Sequence, residues 1–154
     1  MNVDLETLNT EFENCSAHQI IEWIYSHFSS EKIKLSTSFG AEGMSLIHIL
    51  VELIKKPRVF TIDTGRNFAE TYDVWDEIIK KYQIPIETYY PLADEIYELN
   101  THDGPNLFYK NVENRKRCCH VRKVKPLKEA LANAKVWISG LRRQQGKTRK
   151  DISI

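Results

Sequence analysis

The sequence predicts an α/β fold: a mostly parallel, twisted sheet with helices on both faces. Three observations point there. Short β-branched and aromatic runs alternate with segments of helical apolar period, and such alternation is the signature of a parallel sheet joined by crossover helices. The chain has 154 residues, which suits one domain with a real core. Each of three predicted strands also runs into a loop of small, hydroxyl or basic residues, as ligand-binding sheets do at their carboxyl ends.

The elements follow in order. Ser16 to Phe28 places Ile20, Ile21, Trp23, Ile24 and Phe28 at helical spacing, with Ser16 as N-cap. Ile33 to Ser38 is short and enters a Ser/Gly loop, which suits a strand. Met44 to Ile54 is helical in period. Val59-Phe60-Thr61-Ile62 reads as a buried strand introduced by Pro57. Phe68 to Tyr82 is helical, with Tyr72, Trp75, Ile78 and Ile79 on one side, and Ile86 to Tyr90 is a strand closed by Pro91. A polar, less regular stretch covers Asn100 to Asn114. Val124 to Ala134 reads as a helix and Val136 to Ser139 as a further strand. Trp23, Trp75 and Trp137 are expected to pack the core. There is no internal repeat and no low-complexity segment.

Charge is divided unevenly. Residues 1–114 hold 9 Lys/Arg against 19 Asp/Glu, a net −10, whereas residues 115–154 hold 13 against 2, a net +11. A basic block of this kind implies an anionic partner: a phosphorylated small molecule, nucleic acid or an anionic cluster. No apolar run approaches the length of a membrane span. The polar, acidic segment from Met1 to Glu13 is not a secretory signal. Three cysteines, none at a disulfide-scaffold spacing, point to a reducing, cytoplasmic setting.

Four stretches can carry chemistry. Ser36-Thr37-Ser38-Phe39-Gly40-Ala41-Glu42-Gly43 lies between a strand and a helix, where backbone N–H groups and a helix N-terminus face an anion. It lacks the Gly-Lys-Ser/Thr ending of a Walker A loop. Asp63-Thr64-Gly65-Arg66 follows the second strand; Arg66 offers a planar fork to phosphate, and Asp63 or Thr64 suits the cap of the next helix. Gly140 to Arg149, with Arg142 and Arg143, follows the last strand. Cys118 and Cys119 stand together in Arg115-Lys116-Arg117-Cys118-Cys119-His120-Val121-Arg122-Lys123. Adjacent cysteines seldom pair with each other. Cations around them favour thiolates, the ligands of soft metals and iron–sulfur clusters.

Together these stretches resemble the assimilatory sulfonucleotide reductases, the adenylyl-sulfate and phosphoadenylyl-sulfate reductase family. The resemblance rests on the motifs at 36–43, 62–66, 118–127 and 137–145, in the family's order and spacing, from about Ile33 to Arg149. It implies a fold of the adenine-nucleotide α-hydrolase type with a modified pyrophosphate loop (PP-loop) containing Ser36, Ser38 and Gly40. Thr64, Gly65 and Arg66 would join that substrate site. The implied substrate is adenosine 5′-phosphosulfate or its 3′-phospho form. In the family, a cysteine thiolate of the C-terminal tail attacks the sulfate sulfur, the nucleotide leaves, and thioredoxin or glutaredoxin releases sulfite from the S-sulfocysteine. Vicinal cysteines mark the branch with a [4Fe-4S] cluster, where Cys118 and Cys119 would be two of four ligands. Members of that branch mostly prefer the substrate without the 3′-phosphate. Lys123 matches a lysine between cluster and substrate, and Arg142 and Arg143 match arginines that hold the phosphosulfate end.

The sequence also departs from that pattern. No Cys-x-x-Cys follows Cys119, the tail with the nucleophilic cysteine is missing, and Gly146 replaces a usual serine. Residues 1–154 thus read as a single, C-terminally incomplete domain with no catalytic cysteine of its own. A fragment or truncated chain is the favoured account, ahead of a split gene or a nucleotide-binding remnant. Cys15 matches no family motif and reads as a structural or incidental thiol. The rivals are an ATP pyrophosphatase-type enzyme, a basic nucleic-acid-binding module and a zinc site. The first lacks a Ser-Gly-Gly-x-Asp-Ser loop. The second lacks interleaved aromatics between residues 115 and 135. The third would need three consecutive ligands, Cys118, Cys119 and His120, where gaps of two to four residues are usual.

Overall fold

In the computed structural model, residues 4–146 together with 149, 152 and 153 are described. Four short strands form one sheet in the order β3-β2-β1-β4: β1 (Ile33–Ser36), β2 (Val59–Ile62), β3 (Ile86–Tyr89) and β4 (Val136–Ile138). All three pairings are parallel, with Leu35 opposite Val59, Phe60 opposite Glu87, and Ile33 opposite Val136. Each connection therefore needs a crossover, and helices supply them. The extents match the predicted strands to within two residues, because proline or a Ser/Gly loop bounds each run.

Residues alternate between the two faces of the sheet. One face presents Ile33, Leu35, Val59 and Ile138, which pack with Ile21, Ile47, Leu50 and Ile78 as the main core. Those partners come from α2 (Ala17–His27), α3 (Ala41–Leu53) and α4 (Ala69–Tyr82). Ser16 does cap α2, in a reciprocal capping box with Gln19. The other face is mixed. Lys34, buried on it, donates to Glu87 Oε2 and Tyr89 Oη, both at 2.8 Å. Helix α7 (Lys125–Leu131) packs against β2 and β3, so helices do cover both faces.

Three helices were not legible beforehand. Helix α1 (Leu5–Phe12) is capped by Asp4, whose carboxylate accepts from Glu6 N–H. Helices α5 (Ala93–Asp103) and α6 (Val112–Cys119) lie in polar sequence. Leu99, Leu107 and Cys118 nevertheless form a second small core with Phe108 and Val121 beside them. Helix α6 runs on through a π-helical turn (His120–Val124) into α7 without leaving helical dihedrals. Lys125 N–H reaches back five residues to His120 C=O. Pro126, next in line, has no N–H to give, and a widened turn at such a point often marks a functional site.

Candidate functional site

The loop after β1 is built by close approach. Thr37 Oγ1 accepts from Phe39 N–H at 2.9 Å, and Phe39 takes φ = +61°, an outlier for a bulky residue. Stacking on Trp75, with ring centroids 5.3 Å apart, holds Phe39 in that strained conformation. Gly43, in the first turn of α3, lies so near that a Cβ would sit 2.6 Å from Thr37 Oγ1. Gly140 meets the same turn: a Cβ there would be 2.8 Å from Glu42 Cβ. The loops after β1 and β4 are thus pressed together, with glycine where they touch.

Side chains reinforce that seam. Arg142 donates to Glu42 Oε1, as does Gln145 at 3.0 Å. Glu42 is held well below the usual carboxylate range, at about 2, by its own backbone N–H first, then by Gln145 and Arg142. Trp137 does not pack the core. It lies 45% exposed and its indole N–H donates to Ser36 Oγ at 2.8 Å. The alternation of β4, with Ile138 in the core, puts Trp137 on the opposite face, a signal present in the sequence.

The loop after β2 is a self-bonded turn and caps no helix. Asp63 Oδ1 accepts from Gly65 N–H at 2.9 Å, and Tyr72 O–H donates to the same carboxylate. Thr64 Oγ1 accepts from Arg66 N–H at 3.3 Å. Gly65 has φ = +68°, which favours glycine. Helix α4 starts beyond, with Phe68 at its N-cap and no side-chain cap bond. Arg66 turns outward from the β1 loop: it donates to Pro105 C=O and Asn106 Oδ1 and lies over the Phe108 ring.

Two cavities adjoin at the carboxyl ends of the strands. The first, about 380 Å³, is lined by Ser36, Ser38, Gly40, Thr64 and Lys123 of the predicted set. Thr37, Glu42, Asn67, Trp137, Gln145 and Arg149 contribute to its polar and aromatic wall. The second, about 400 Å³, contains Arg66, Cys118 and Cys119, with Arg115, Arg122 and the rings of Phe68, Phe108 and Tyr109. Thr64 and Lys123 line both. Among the described residues the second lining has four cations and no carboxylate. Gly65 lines neither cavity. Arg142 and Arg143 also stay outside them, engaged by Glu42 and Glu13. Lys147 and Thr148, within the predicted basic loop, lie outside the described residues.

Cys118 is buried, Cys119 is exposed, and Cys15 is remote in sequence, its thiol donating to Glu11 C=O. Among the described residues no cluster of three or more His, Cys, Asp or Glu could hold a metal ion. Two thiols are half the donor set of a four-cysteine cluster. Their surroundings do suit an anionic group: among the described residues four cations line the cavity, and Arg122, buried in its wall, has an Nε–H without a partner.

This arrangement defines a class: a parallel α/β domain with an anion-receptive cavity at its strand ends. The chain belongs to the phosphoadenosine phosphosulfate reductase domain family, which matches residues 32–154. It is 38% identical over 122 residues to the adenosine 5′-phosphosulfate reductase of Burkholderia cepacia, covering 79% of this chain and 49% of that protein. It is 35% identical over 152 residues to the enzyme of that name from Staphylococcus saprophyticus, covering 94% and 58%. The chain therefore spans about half to three-fifths of the length of these curated relatives. The crystal structure of phosphoadenylyl-sulfate reductase from Candida auris, a phosphate complex, superposes with a TM-score of 0.75 over 92% of this chain and 70% of that one. At 22% identity that likeness shows the fold.

Proposed function

We propose that this chain is the substrate-binding part of an adenylyl-sulfate or phosphoadenylyl-sulfate reductase of sulfate assimilation. The overall reaction is thioredoxin- or glutaredoxin-dependent reduction of adenosine 5′-phosphosulfate, or its 3′-phospho form, to sulfite and AMP or its 3′-phospho counterpart. One observation supports this reading above the rest. The cavity formed by Ser36, Ser38, Gly40 and Thr64 adjoins the cysteine-bearing cavity, and Thr64 and Lys123 line both.

The chemistry fits that geometry. The phosphosulfate is an anion, and a thiolate approaching it adds further negative charge. Lys123 makes no ion pair with any described residue, so its ammonium is available to hold the substrate and stabilise charge on the leaving phosphate. Trp137 offers a flat apolar face beside the nucleotide loop. Arg142 and Arg143 would join the substrate's anionic end only after leaving Glu42 and Glu13. Cys118 and Cys119 would supply two thiolates to an iron–sulfur cluster, a compact anionic centre that accounts for the surrounding cations. Neither thiol is assigned as the nucleophile, and the remaining ligands and nucleophile would come from outside these 154 residues. Three free cysteines agree with a reducing, cytoplasmic setting. No helix among the described residues is long and apolar enough to cross a membrane.

Calorimetric titration of the chain with AMP and with 3′,5′-bisphosphoadenosine tests the reading. Saturable binding of AMP, weakened by Lys123→Ala, is expected; comparing the two ligands reads the preference for the 3′-phosphate. In the same preparation, sulfite release from adenylyl sulfate with thioredoxin should be absent. No AMP binding to the folded wild-type chain would overturn the assignment of the first cavity. Sulfite release would overturn the division of labour.

A further inference from the structure

Arg122 joins three segments that the chain brings together from far apart. It is 7% exposed. One Nη1–H donates to Thr64 C=O at 2.8 Å, across 58 positions of sequence. Nη2–H donates to Asn100 Oδ1 at 3.2 Å, at the far end of α5. Nε–H has no partner among the described residues, although it is buried. Gly65 lies against the guanidinium: a Cβ there would come within 3.6 Å of Nη1. The residue itself belongs to the π-helical turn that begins directly after Cys119.

We propose that Arg122 is a positioning residue that couples occupancy of the nucleotide cavity to the exposure of the cysteine pair. This rests on the reading of the first cavity as a nucleotide site. Thr64 lines both cavities, and its main-chain carbonyl is held by Arg122. A ligand that draws the Asp63–Arg66 turn toward the first cavity must either carry Arg122 along or break that bond. Breaking it is costly, because a buried guanidinium with one donor already unpaired would lose another. Carrying it along moves the π-helical turn, and with it the end of α6 where Cys118 and Cys119 sit. The link is a chain of direct bonds and packed backbone, a form through which coupling between sites can be carried. A lysine could supply the charge but could not span Thr64 and Asn100 together, since it lacks the planar fork.

The test measures alkylation of Cys119 by iodoacetamide at one fixed pH, with and without saturating AMP. A Cys15→Ser background removes the other accessible thiol. In this parent, AMP is expected to change the rate by roughly fivefold or more, the lower end of measured coupling between sites. In Arg122→Gln and Arg122→Lys, AMP should still bind, while its effect on the rate falls below about twofold. Asn100→Ala, which cuts the other arm and leaves Arg122 in place, should reduce the effect in the same direction; it decides the matter if the Arg122 variants do not fold. Full retention of the AMP effect in folded Arg122→Gln, or in Asn100→Ala where that variant decides, overturns the proposal, since direct shielding by the nucleotide would then explain it. AMP binding to the parent without any effect on the rate overturns it too. Failure of the parent to bind AMP removes the nucleotide site itself, a separately visible result.

Discussion

Gly43→Ala sets two local effects against each other. In a helix, alanine in place of glycine is favoured by about 1 kcal/mol. Here, however, the new methyl would stand 2.6 Å from Thr37 Oγ1, a separation that forces something to move. Thr37 is buried and its hydroxyl accepts from Phe39 N–H. Rotating it away loses a buried hydrogen bond, about 1 kcal/mol, and strips support from a Phe39 already at positive φ. Shifting the helix instead incurs an overpacking cost of about 1–3 kcal/mol. The sum is net destabilisation of about 0–2 kcal/mol, or a fall in Tm of up to roughly 8 °C for a chain of this size. AMP affinity should fall as well, because the loop that moves lines the first cavity. Thermal unfolding by circular dichroism gives the first number and calorimetry the second. The double variant Thr37→Ala/Gly43→Ala makes the reasoning refutable. With the hydroxyl gone the methyl has room, so adding Gly43→Ala to Thr37→Ala should cost nothing or stabilise. A Gly43→Ala chain more stable than wild type, or strict additivity in the double variant, would show that the close approach is not what fixes glycine there.

Two further outcomes follow from the same seam. Glu42, held at about 2 against an ordinary value of 4.5, favours the folded state above pH 4.5 and progressively less as pH falls toward 2; Glu42→Gln should therefore lower Tm at pH 6 and close that gap on acidification, and a gap that widens toward low pH would contradict it. Trp137→Phe keeps an aromatic ring but loses the donor to Ser36 Oγ, so the seam loses one hydrogen bond of about 1 kcal/mol and Tm should fall by roughly 2–4 °C; an unchanged Tm would show that this bond does not hold the seam.

The strands were readable because each is a short apolar run closed by a breaker, and the parallel sheet followed from their alternation with helices. The helices that escaped are the polar ones. In α6, Val-Glu-Asn-Arg-Lys-Arg-Cys-Cys shows little apolar period, and its contact is concentrated at Cys118 in a small satellite core. The predicted helix from Val124 was cut short at the front for a related reason: Pro126 masked the continuity from α6 through a π-helical turn. Within the site, Ser36, Ser38, Gly40, Thr64 and Lys123 come together in the lining of the first cavity. Arg66, Arg142 and Arg143 were visible as cations, but sequence does not show which carboxylate or carbonyl a long side chain will find. Arg122 was hidden in plain view, one position before Lys123; burial and its two distant acceptors distinguish it from the other basic residues nearby.

The hydrogen bond from Trp137 to Ser36 closes a gap of 101 positions. β1, though central in the sheet, has only one flank until β4 has been made. On the ribosome, the earlier strands and helices must therefore wait with that flank unpaired while some hundred further residues emerge, a delay that high contact order also imposes on refolding in vitro. The Ser36 hydroxyl would then meet its Trp137 donor only after residue 137 has been made.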